Sequence, residues 1–231
     1  MAERTALIVG ASRGLGLGLA EELVKRGWGV IGTVRSEASS ARLQALADKS
    51  SGKVRIETLD VDDVDQIAAL AKRLSGETLD LLFVVAGVTH GRSKPTEASR
   101  EQIARIFVTN TVAPLRVAEA LVDRVRDGTG VIAMMSSTLG SISVLLRAGD
   151  DLYSASKAAL NMLTRCFAED LGDRKLTVLT MSPGWVRTDM GGPDAPLSIE
   201  ESVTGMVDVV ERMAGTRAHG FYGYDGAMIG W

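Results

Sequence analysis

Tyr153 and Lys157 are the two residues whose types and spacing most clearly indicate chemistry. They stand four positions apart in a stretch with helical periodicity, so one helical turn would place the phenol and the ammonium on the same face. A phenol with a pKa of about 10 is a poor acid or base at neutral pH, and a nearby cation lowers that pKa. The pair predicts a tyrosine that exchanges protons with a substrate. The alternative is a chance pairing, because many helices carry this spacing.

A glycine-rich turn is the second candidate, because it joins an apolar run to a helical pattern. Such a turn allows unrestricted φ angles, lets an anion approach the backbone, and points the first N–H groups of the helix at that anion. The spacing GxxxGxG lacks the lysine of NTP-binding loops, which speaks against kinases and NTPases. The turn predicts a dinucleotide site, with a purely structural turn as the alternative. Its predicted ligands are Gly10, Ser12, Arg13, Gly14, Leu15 and Gly16.

The second apolar run ends in a cation, Arg35, where dinucleotide-binding proteins often carry an acidic residue for the ribose 2′-hydroxyl. Together with Arg13, it could bind a 2′-phosphate through charge-assisted hydrogen bonds. These cations favour NADP(H) over NAD(H), the alternative being two solvated surface arginines. Asp60 follows the third run and is a candidate acceptor for the adenine amino group or, alternatively, a cap of the following helix. Asp62 and Asp63 are further candidates for that cap.

The hydrophobic pattern predicts the elements that must position these residues. Short apolar runs predict strands over 5–9, 29–34, 54–59, 79–85, 131–135 and 177–181. Helices are predicted over 15–26, 41–47, 64–74, 101–126 with an interruption at Pro114, 152–171 and 198–213, followed by a tail rich in glycine and aromatic residues. Continuous apolar strands separated by helices indicate a parallel sheet that is covered on both faces.

We therefore expect an α/β fold, a single Rossmann-type NAD(P)-binding domain over residues 1–231 with a doubly wound parallel sheet of six or seven strands. Ligands of such sheets bind at the carboxyl ends of the strands. The other predicted cofactor contacts therefore follow strand ends, and they are Asp60, Val61, Ala86, Gly87, Pro183, Gly184 and Val186.

Composition argues against several other classes of protein. The chain of 231 residues is 45% hydrophobic and 24% charged with a net charge of −3, which is globular composition without a basic block for nucleic acid. A single cysteine, Cys166, cannot form an internal disulfide, and with only two histidines a Cys/His zinc site and a Ser-His-Asp triad are both poorly supplied. We expect a cytoplasmic protein with a small-molecule substrate, no metal, and no membrane or nucleic-acid partner.

Five motifs in chain order resemble the short-chain dehydrogenase/reductase family. They are the glycine turn, Asn110, Ser137, the Tyr153/Lys157 pair and Pro183-Gly184. The stretches 136–142, 183–192 and 224–231 look like the branch of the family that contains C-factor proteins and sniffer-like carbonyl reductases. The resemblance covers essentially the whole chain. It implies an NADP(H)-dependent oxidoreductase that interconverts a carbonyl and an alcohol, assembled as a homodimer or homotetramer.

The resemblance also implies a role for each motif residue. Tyr153 would be the general acid/base, and Lys157 would lower its pKa and hold the nicotinamide ribose. Ser137 would orient the substrate oxygen, Asn110 would hold a water that links Lys157 to solvent, and Thr188 would bind the nicotinamide carboxamide. Ser136 and Ser141 compete with Ser137, which is preferred because Gly140 follows it at the family spacing. Asn110, Ser137 and Thr188 also have purely structural interpretations as a polar helix break, a strand-end hydroxyl and a loop cap.

The sequence departs from the family pattern in two places. Val84-Val85 stands where the family usually has Asn-Asn, and the segment 141–151 is longer than in many members, which predicts a loop over the substrate or a solvated surface loop. His90 follows the Ala86-Gly87 turn and is predicted to be a hydrogen-bonded loop residue rather than a catalytic group, with a place in the lining of the substrate pocket as the alternative. Two other functions remain open, a non-catalytic NADP(H)-binding regulatory protein and an S-adenosylmethionine methyltransferase, which would leave the Tyr153/Lys157 pair unexplained.

Overall fold

A computed structural model describes residues 4–89, 91, 94–144 and 149–231 of the chain. His90 and the centre of the predicted loop, 145–148, lie outside the described residues. Within the described ranges, none of the helices combines the length and the apolarity that crossing a lipid bilayer would require.

The strands form one seven-stranded parallel sheet in the order β3-β2-β1-β4-β5-β6-β7. The strands are β1 (Thr5–Val9), β2 (Gly29–Val34), β3 (Val54–Thr58), β4 (Leu81–Val84), β5 (Val131–Met135), β6 (Thr177–Ser182) and β7 (His219–Gly223). Six of them lie where the apolar runs predict them. β7 forms in the segment described from the sequence only as a glycine- and aromatic-rich tail, because pairing with β6 supplies the order that its own pattern does not encode.

Seven α-helices connect the strands in the described part of the chain. They are α1 (Gly14–Lys25), α2 (Ala41–Lys49), α3 (Val64–Arg73), α4 (Arg100–Phe107), α5 (Ala113–Leu121), α6 (Asp151–Asp170) and α7 (Ile199–Met213). The predicted helix over 101–126 is interrupted by a π-helical turn, Val108–Val112, rather than at Pro114. Pro114 follows this turn directly and lies in the first turn of α5, where proline is tolerated.

The sheet is buried on both faces, which explains its continuous apolar strands. Along β1, Ala6 and Ile8 join a core cluster with residues of α1 and α7, whereas Leu7 and Val9 join a second cluster with residues of α3, α5 and α6. The doubly wound Rossmann-type fold expected from the sequence is therefore confirmed. Because all strands run in parallel, their carboxyl ends bring the glycine turn, Ser137 and the Pro183-Gly184 loop to one edge of the sheet.

Candidate active site

The glycine turn between β1 and α1 is closely packed and requires glycine at two positions. Gly10 has φ +96° and lies against Ala86, so that a Cβ at Gly10 would come within 3.0 Å of the Ala86 nitrogen. A Cβ at Gly16 would collide with the Gly10 carbonyl oxygen, so the turn closes only with glycine there. Among the described side chains, α1 receives no capping hydrogen bond from Arg13 and no acidic residue in its first turn. Its first N–H groups thus suit a pyrophosphate.

Arginines surround the outer side of this turn. Arg35 follows β2 with an exposed side chain. Arg13 forms an ion pair with Asp189 at 3.0 Å, and both side chains are largely exposed. Arg42 in α2 lines a cleft of about 450 Å³ together with Gly14. The sequence-based prediction missed Arg42, although its place near the start of the helix after β2 was an available signal. The charge is that expected for a 2′-phosphate site.

The third strand ends in a turn that includes Asp60 and Val61. The Asp60 carboxylate accepts a hydrogen bond from the backbone N–H of Asp62 at 3.1 Å, and Val61 is buried. Asp60 does not cap α3, as one alternative proposed, because Asp63 does so by accepting the N–H groups of Asp65 and Gln66. An acceptor for an adenine amino group therefore remains the functional interpretation of Asp60.

The end of β4 is apolar where the family pattern is polar. Val84 is buried in the core, and the N–H groups of Val85 and Ala86 both donate to the Val9 carbonyl oxygen, at 2.9 and 3.0 Å. Gly87 follows in close contact with its neighbours, since a Cβ there would lie 3.3 Å from Asn110 Oδ1 and 3.5 Å from the Lys157 ammonium. The apolar substitution is thus accommodated by packing, while the glycine lets the backbone approach Asn110 and Lys157 closely.

Helix α6 places Tyr153 and Lys157 one turn apart, as their spacing predicts. Lys157 is 2% exposed, and its Nζ donates to the Met135 carbonyl oxygen at 2.8 Å. The same nitrogen lies 5.8 Å from the centroid of the Tyr153 ring. The end of β5 and the first turns of α6 therefore hold the ammonium beside the aromatic ring.

Ser137 is the serine that reaches Tyr153. Its side chain interacts with the phenol in the direction that lowers the pKa of Tyr153, and its oxygen accepts the Leu139 N–H at 3.2 Å. The two competing serines point elsewhere, because the Ser136 hydroxyl donates to Asn161 and the Ser141 hydroxyl donates to the Gly230 carbonyl oxygen. The geometry supports the choice of Ser137 over its neighbours.

Burial dominates the titration of both helix residues. It raises the pKa of Tyr153 to about 12, a rise to which the Asp150 charge adds and which the Ser137 hydrogen bond opposes. It lowers the pKa of Lys157 to about 8. Burial, and not the charge of Lys157, dominates the pKa of Tyr153 here, and the Lys157 ammonium donates to the Met135 carbonyl oxygen. The lowering of the Tyr153 pKa by Lys157 stays a prediction. At neutral pH the phenol keeps its proton and most of the lysine is charged.

Asn110 is completely buried in the π-helical turn between α4 and α5. Its Oδ1 accepts the Val88 N–H at 2.7 Å, and its Nδ2 donates to the Val88 carbonyl oxygen and to the Ser156 hydroxyl. A Cβ on Gly87 would lie 3.3 Å from Asn110 Oδ1. The amide thus ties the segment after β4 to α6, next to Lys157.

The loop after β6 folds back over the glycine turn. Gly184 has φ +77°, and a Cβ there would collide with Leu197 and Tyr224. Thr188 Oγ1 accepts the Gly191 N–H at 3.0 Å, and its methyl group lies 3.8 Å from the Cβ position of Gly14. The same loop contains Pro183, whose carbonyl oxygen accepts the Ser202 hydroxyl, and the buried Val186. This part of the predicted cofactor site is therefore brought beside the glycine turn.

The start of the 141–151 segment is attached to the residues after β7. The Ser141 hydroxyl donates to the Gly230 carbonyl oxygen at 2.6 Å, and the Ser143 N–H donates to the Trp231 carbonyl oxygen at 3.0 Å. Ile142 between them is 81% exposed. The predicted loop over the substrate stays a prediction, because residues 145–148 lie outside the described ranges.

Comparison with known proteins identifies the family. Residues 4–196 match the short chain dehydrogenase family. The C-signal protein of Myxococcus xanthus is 34% identical over 164 residues, which is 71% of this chain and 99% of that protein. A short-chain dehydrogenase/reductase from Burkholderia multivorans with bound NADP is 44% identical, with a TM-score of 0.96 over 99% of this chain and 100% of that one.

A carbonyl reductase from Pseudomonas aeruginosa in complex with NADP is 42% identical, with a TM-score of 0.92 over 100% of both chains. The structural agreement extends over essentially the whole chain. It confirms the family and fold that the five motifs indicate. The chain belongs to the short-chain dehydrogenase/reductase family and is an oxidoreductase of that family.

Proposed function

We propose that the protein catalyses the NADP(H)-dependent interconversion of a carbonyl compound and an alcohol, with Tyr153 as the general acid/base. The observation that carries this proposal is the meeting of Tyr153, Ser137 and Lys157 at the sheet edge that also carries the glycine turn. When bound, NADPH would supply the hydride. Every proton-handling group that the reduction then requires is present in the chain.

The glycine turn and the N-terminus of α1 would hold the pyrophosphate of the cofactor. The cleft beside Gly14 and the exposed Arg35, Arg13 and Arg42 would hold the 2′-phosphate, which supports NADP(H) over NAD(H). The NADP-bound structures of similar proteins agree with this assignment. Thr188 and the Pro183-Gly184 loop would bind nearer the nicotinamide.

The two hydroxyl groups would hold and protonate the substrate oxygen. Hydride transfer to a carbonyl places negative charge on that oxygen, and Ser137 and Tyr153 can both donate hydrogen bonds to it. The pKa of about 12 keeps the Tyr153 proton in place until this charge develops. The buried Lys157 ammonium would stabilise the phenolate that remains, and Asn110 would order the path by which a proton returns.

The surroundings favour a substrate with apolar substituents. Trp185 and Met190 lie in the loop after β6 and are about half exposed, at 51% and 49%. The Trp185 indole N–H is already bound to the Gly191 carbonyl oxygen at 2.8 Å, so its exposed surface offers mainly apolar contact. We therefore expect the substrate to be a small carbonyl compound with an aliphatic or aromatic group that contacts Trp185 and Met190.

We also propose that the chain is a single domain that forms a cytoplasmic homodimer or homotetramer. Exposed apolar side chains on α4 and α6 support self-association, with Ile103 at 37%, Leu163 at 38% and Met162 at 62% exposure. The free, exposed Cys166 agrees with a reducing compartment. Analytical ultracentrifugation of the wild type and of Met162→Glu tests the assembly, and a monomeric wild type would contradict it.

Replacement of Tyr153 by phenylalanine tests the catalytic proposal. We expect Tyr153→Phe to lower kcat for NADPH-dependent reduction by about 10²- to 10⁴-fold while NADPH affinity is preserved, because only the proton donor is lost. Tyr222→Phe, which removes a hydroxyl in β7 away from Tyr153, is the matched control and should retain activity. Unchanged turnover in Tyr153→Phe would refute the mechanism. Tight NADPH binding without wild-type turnover on any aldehyde, ketone or quinone would favour a regulatory protein.

A further inference from the structure

Asn161 extends the catalytic face of α6 by one more turn. It stands four positions after Lys157 and eight after Tyr153, so the three side chains share one side of the helix. Asn161 is only 3% exposed, which means that its amide must be satisfied within the protein. The reaction proposed above assigns no role to this residue.

The Asn161 amide uses both of its ends on the segment after β5. Its Oδ1 accepts the hydroxyl of Ser136 at 2.6 Å, and its Nδ2 donates to the carbonyl oxygen of Gly140 at 3.1 Å. Ser136 is 1% exposed, so the first of these bonds is shielded from water. Both partners belong to one short stretch, and the amide binds that stretch at its two ends.

Ser137 lies between the two partners of Asn161. It begins the short helical turn Thr138–Gly140 and accepts the Leu139 N–H, so its orientation follows that of the turn. Gly140 lies against α6, where a Cβ would come within 2.8 Å of the Lys157 backbone. The turn therefore touches the helix directly, and the amide fixes how the two are aligned.

We infer that Asn161 is a positioning residue for Ser137, holding the serine-bearing turn against α6 so that the hydroxyl meets Tyr153. The inference rests on the proposed function, because it concerns the geometry of that site. The amide satisfies both partners at once, because its oxygen accepts the Ser136 hydroxyl while its nitrogen donates to the Gly140 carbonyl oxygen. A displacement of about 1 Å at a reacting group can lower a rate by roughly 100-fold, so the alignment has kinetic consequences.

A double-mutant cycle between Asn161 and Ser137 tests the inference. We expect Asn161→Leu, which keeps the volume of the side chain, to lower kcat by about 10- to 100-fold with NADPH affinity unchanged. We expect Ser137→Ala to cost much less in the Asn161→Leu background than in the wild type, because the hydroxyl is already misplaced there. Equal costs in both backgrounds, or full activity of Asn161→Leu, would overturn the inference.

Two further variants keep the test decisive. Ser136→Ala removes one of the two Asn161 hydrogen bonds and should therefore give a smaller loss of kcat than Asn161→Leu. This loss should again be non-additive with that of Ser137→Ala. If Asn161→Leu does not bind NADPH, Ser136→Ala takes its place in the cycle. Thr164→Val removes another buried hydrogen bond of α6, from Thr164 to the Leu160 carbonyl oxygen, and should leave kcat unchanged. Additive losses with turnover that still depends on Tyr153 would refute only the role of Asn161, whereas turnover independent of Tyr153 would refute the proposed function.

Discussion

The two halves of the candidate site are built in opposite ways. The proton-handling half is centred on α6, where Lys157 and Asn161 are buried at 2% and 3% exposure and their polar groups are bound to neighbouring backbone or side-chain atoms. The phosphate half includes exposed arginines, of which Arg13 forms an ion pair with Asp189, whose side chain is also largely exposed. Groups that must keep an exact alignment are therefore fixed by the fold, whereas groups that attract a charged ligand remain in water.

This difference has an energetic reason. Burying an ammonium disfavours its charged form, which is why the pKa of Lys157 falls from 10.5 to about 8. An exposed arginine loses little hydration and costs the fold almost nothing. The buried Lys157 thus lowers stability at a place where a preorganised charge serves the reaction. The exposed arginines attract a charged ligand from a distance without a comparable loss of stability.

Substitution of Lys157, in the buried half, should have the largest effect on activity and stability. We expect Lys157→Met to lower kcat by about 100-fold or more and to raise the free energy of unfolding by roughly 1–3 kcal/mol, since the buried charge is removed. The Met135 carbonyl oxygen loses its donor, which limits the gain. Urea unfolding at pH 7 measures it, with the exposed Lys72→Met as control. A less stable Lys157→Met would show that the buried charge is not a cost.

Reversal of charge at Arg35 should have the next largest effect, in the exposed half. We expect Arg35→Asp to weaken NADPH binding by about 10- to 100-fold with little change for NADH, because only NADPH carries the 2′-phosphate. Isothermal titration of both cofactors measures this. Arg116→Asp makes the same change in net charge on α5 and should alter neither affinity. Equal losses for NADPH and NADH in Arg35→Asp would exclude a 2′-phosphate contact.

The pH dependence separates the two halves, because only the buried one titrates near neutrality. As pH rises through about 8, Lys157 loses its proton and the rate of carbonyl reduction should fall about tenfold per pH unit at saturating NADPH. Stability should change in the other direction. The unfolded lysine stays protonated up to its ordinary pKa, so the cost of the buried charge disappears and stability increases between about pH 8 and 10.5. A reduction rate that stays constant to pH 10 would contradict the role of Lys157.

Removal of the Asp189 carboxylate should produce the smallest effect. The exposed ion pair occupies Arg13, so Asp189→Asn should free that cation and strengthen NADPH binding by about two- to fivefold without affecting NADH. The effect should diminish at high salt, because exposed charges are screened. Asp194→Asn, a few residues further along the same loop, is the matched control. Weaker NADPH binding in Asp189→Asn would mean that the pair helps to form the site.

Much of the molecule could be predicted from local spacing. The alternation of strands and helices, the turn between β1 and α1, and the common face of Tyr153 and Lys157 all follow from residues that are close together in the chain. Helix and strand periodicity is a short-range property, so these elements can be recognised without knowledge of their tertiary contacts. The order of the five motifs was sufficient to indicate the family.

Only the tertiary structure decided the rest. β7 needed β6 as a partner, Arg42 became part of the cleft through the packing of α2, and Asn161 acquired its partners from the segment after β5. The pKa of Tyr153 depends on the solvent excluded by all surrounding elements, and this effect outweighed the neighbouring charge that the sequence alone suggested. Spacing along a chain specifies which groups share one element, whereas burial and contacts between distant segments exist only after the elements pack together.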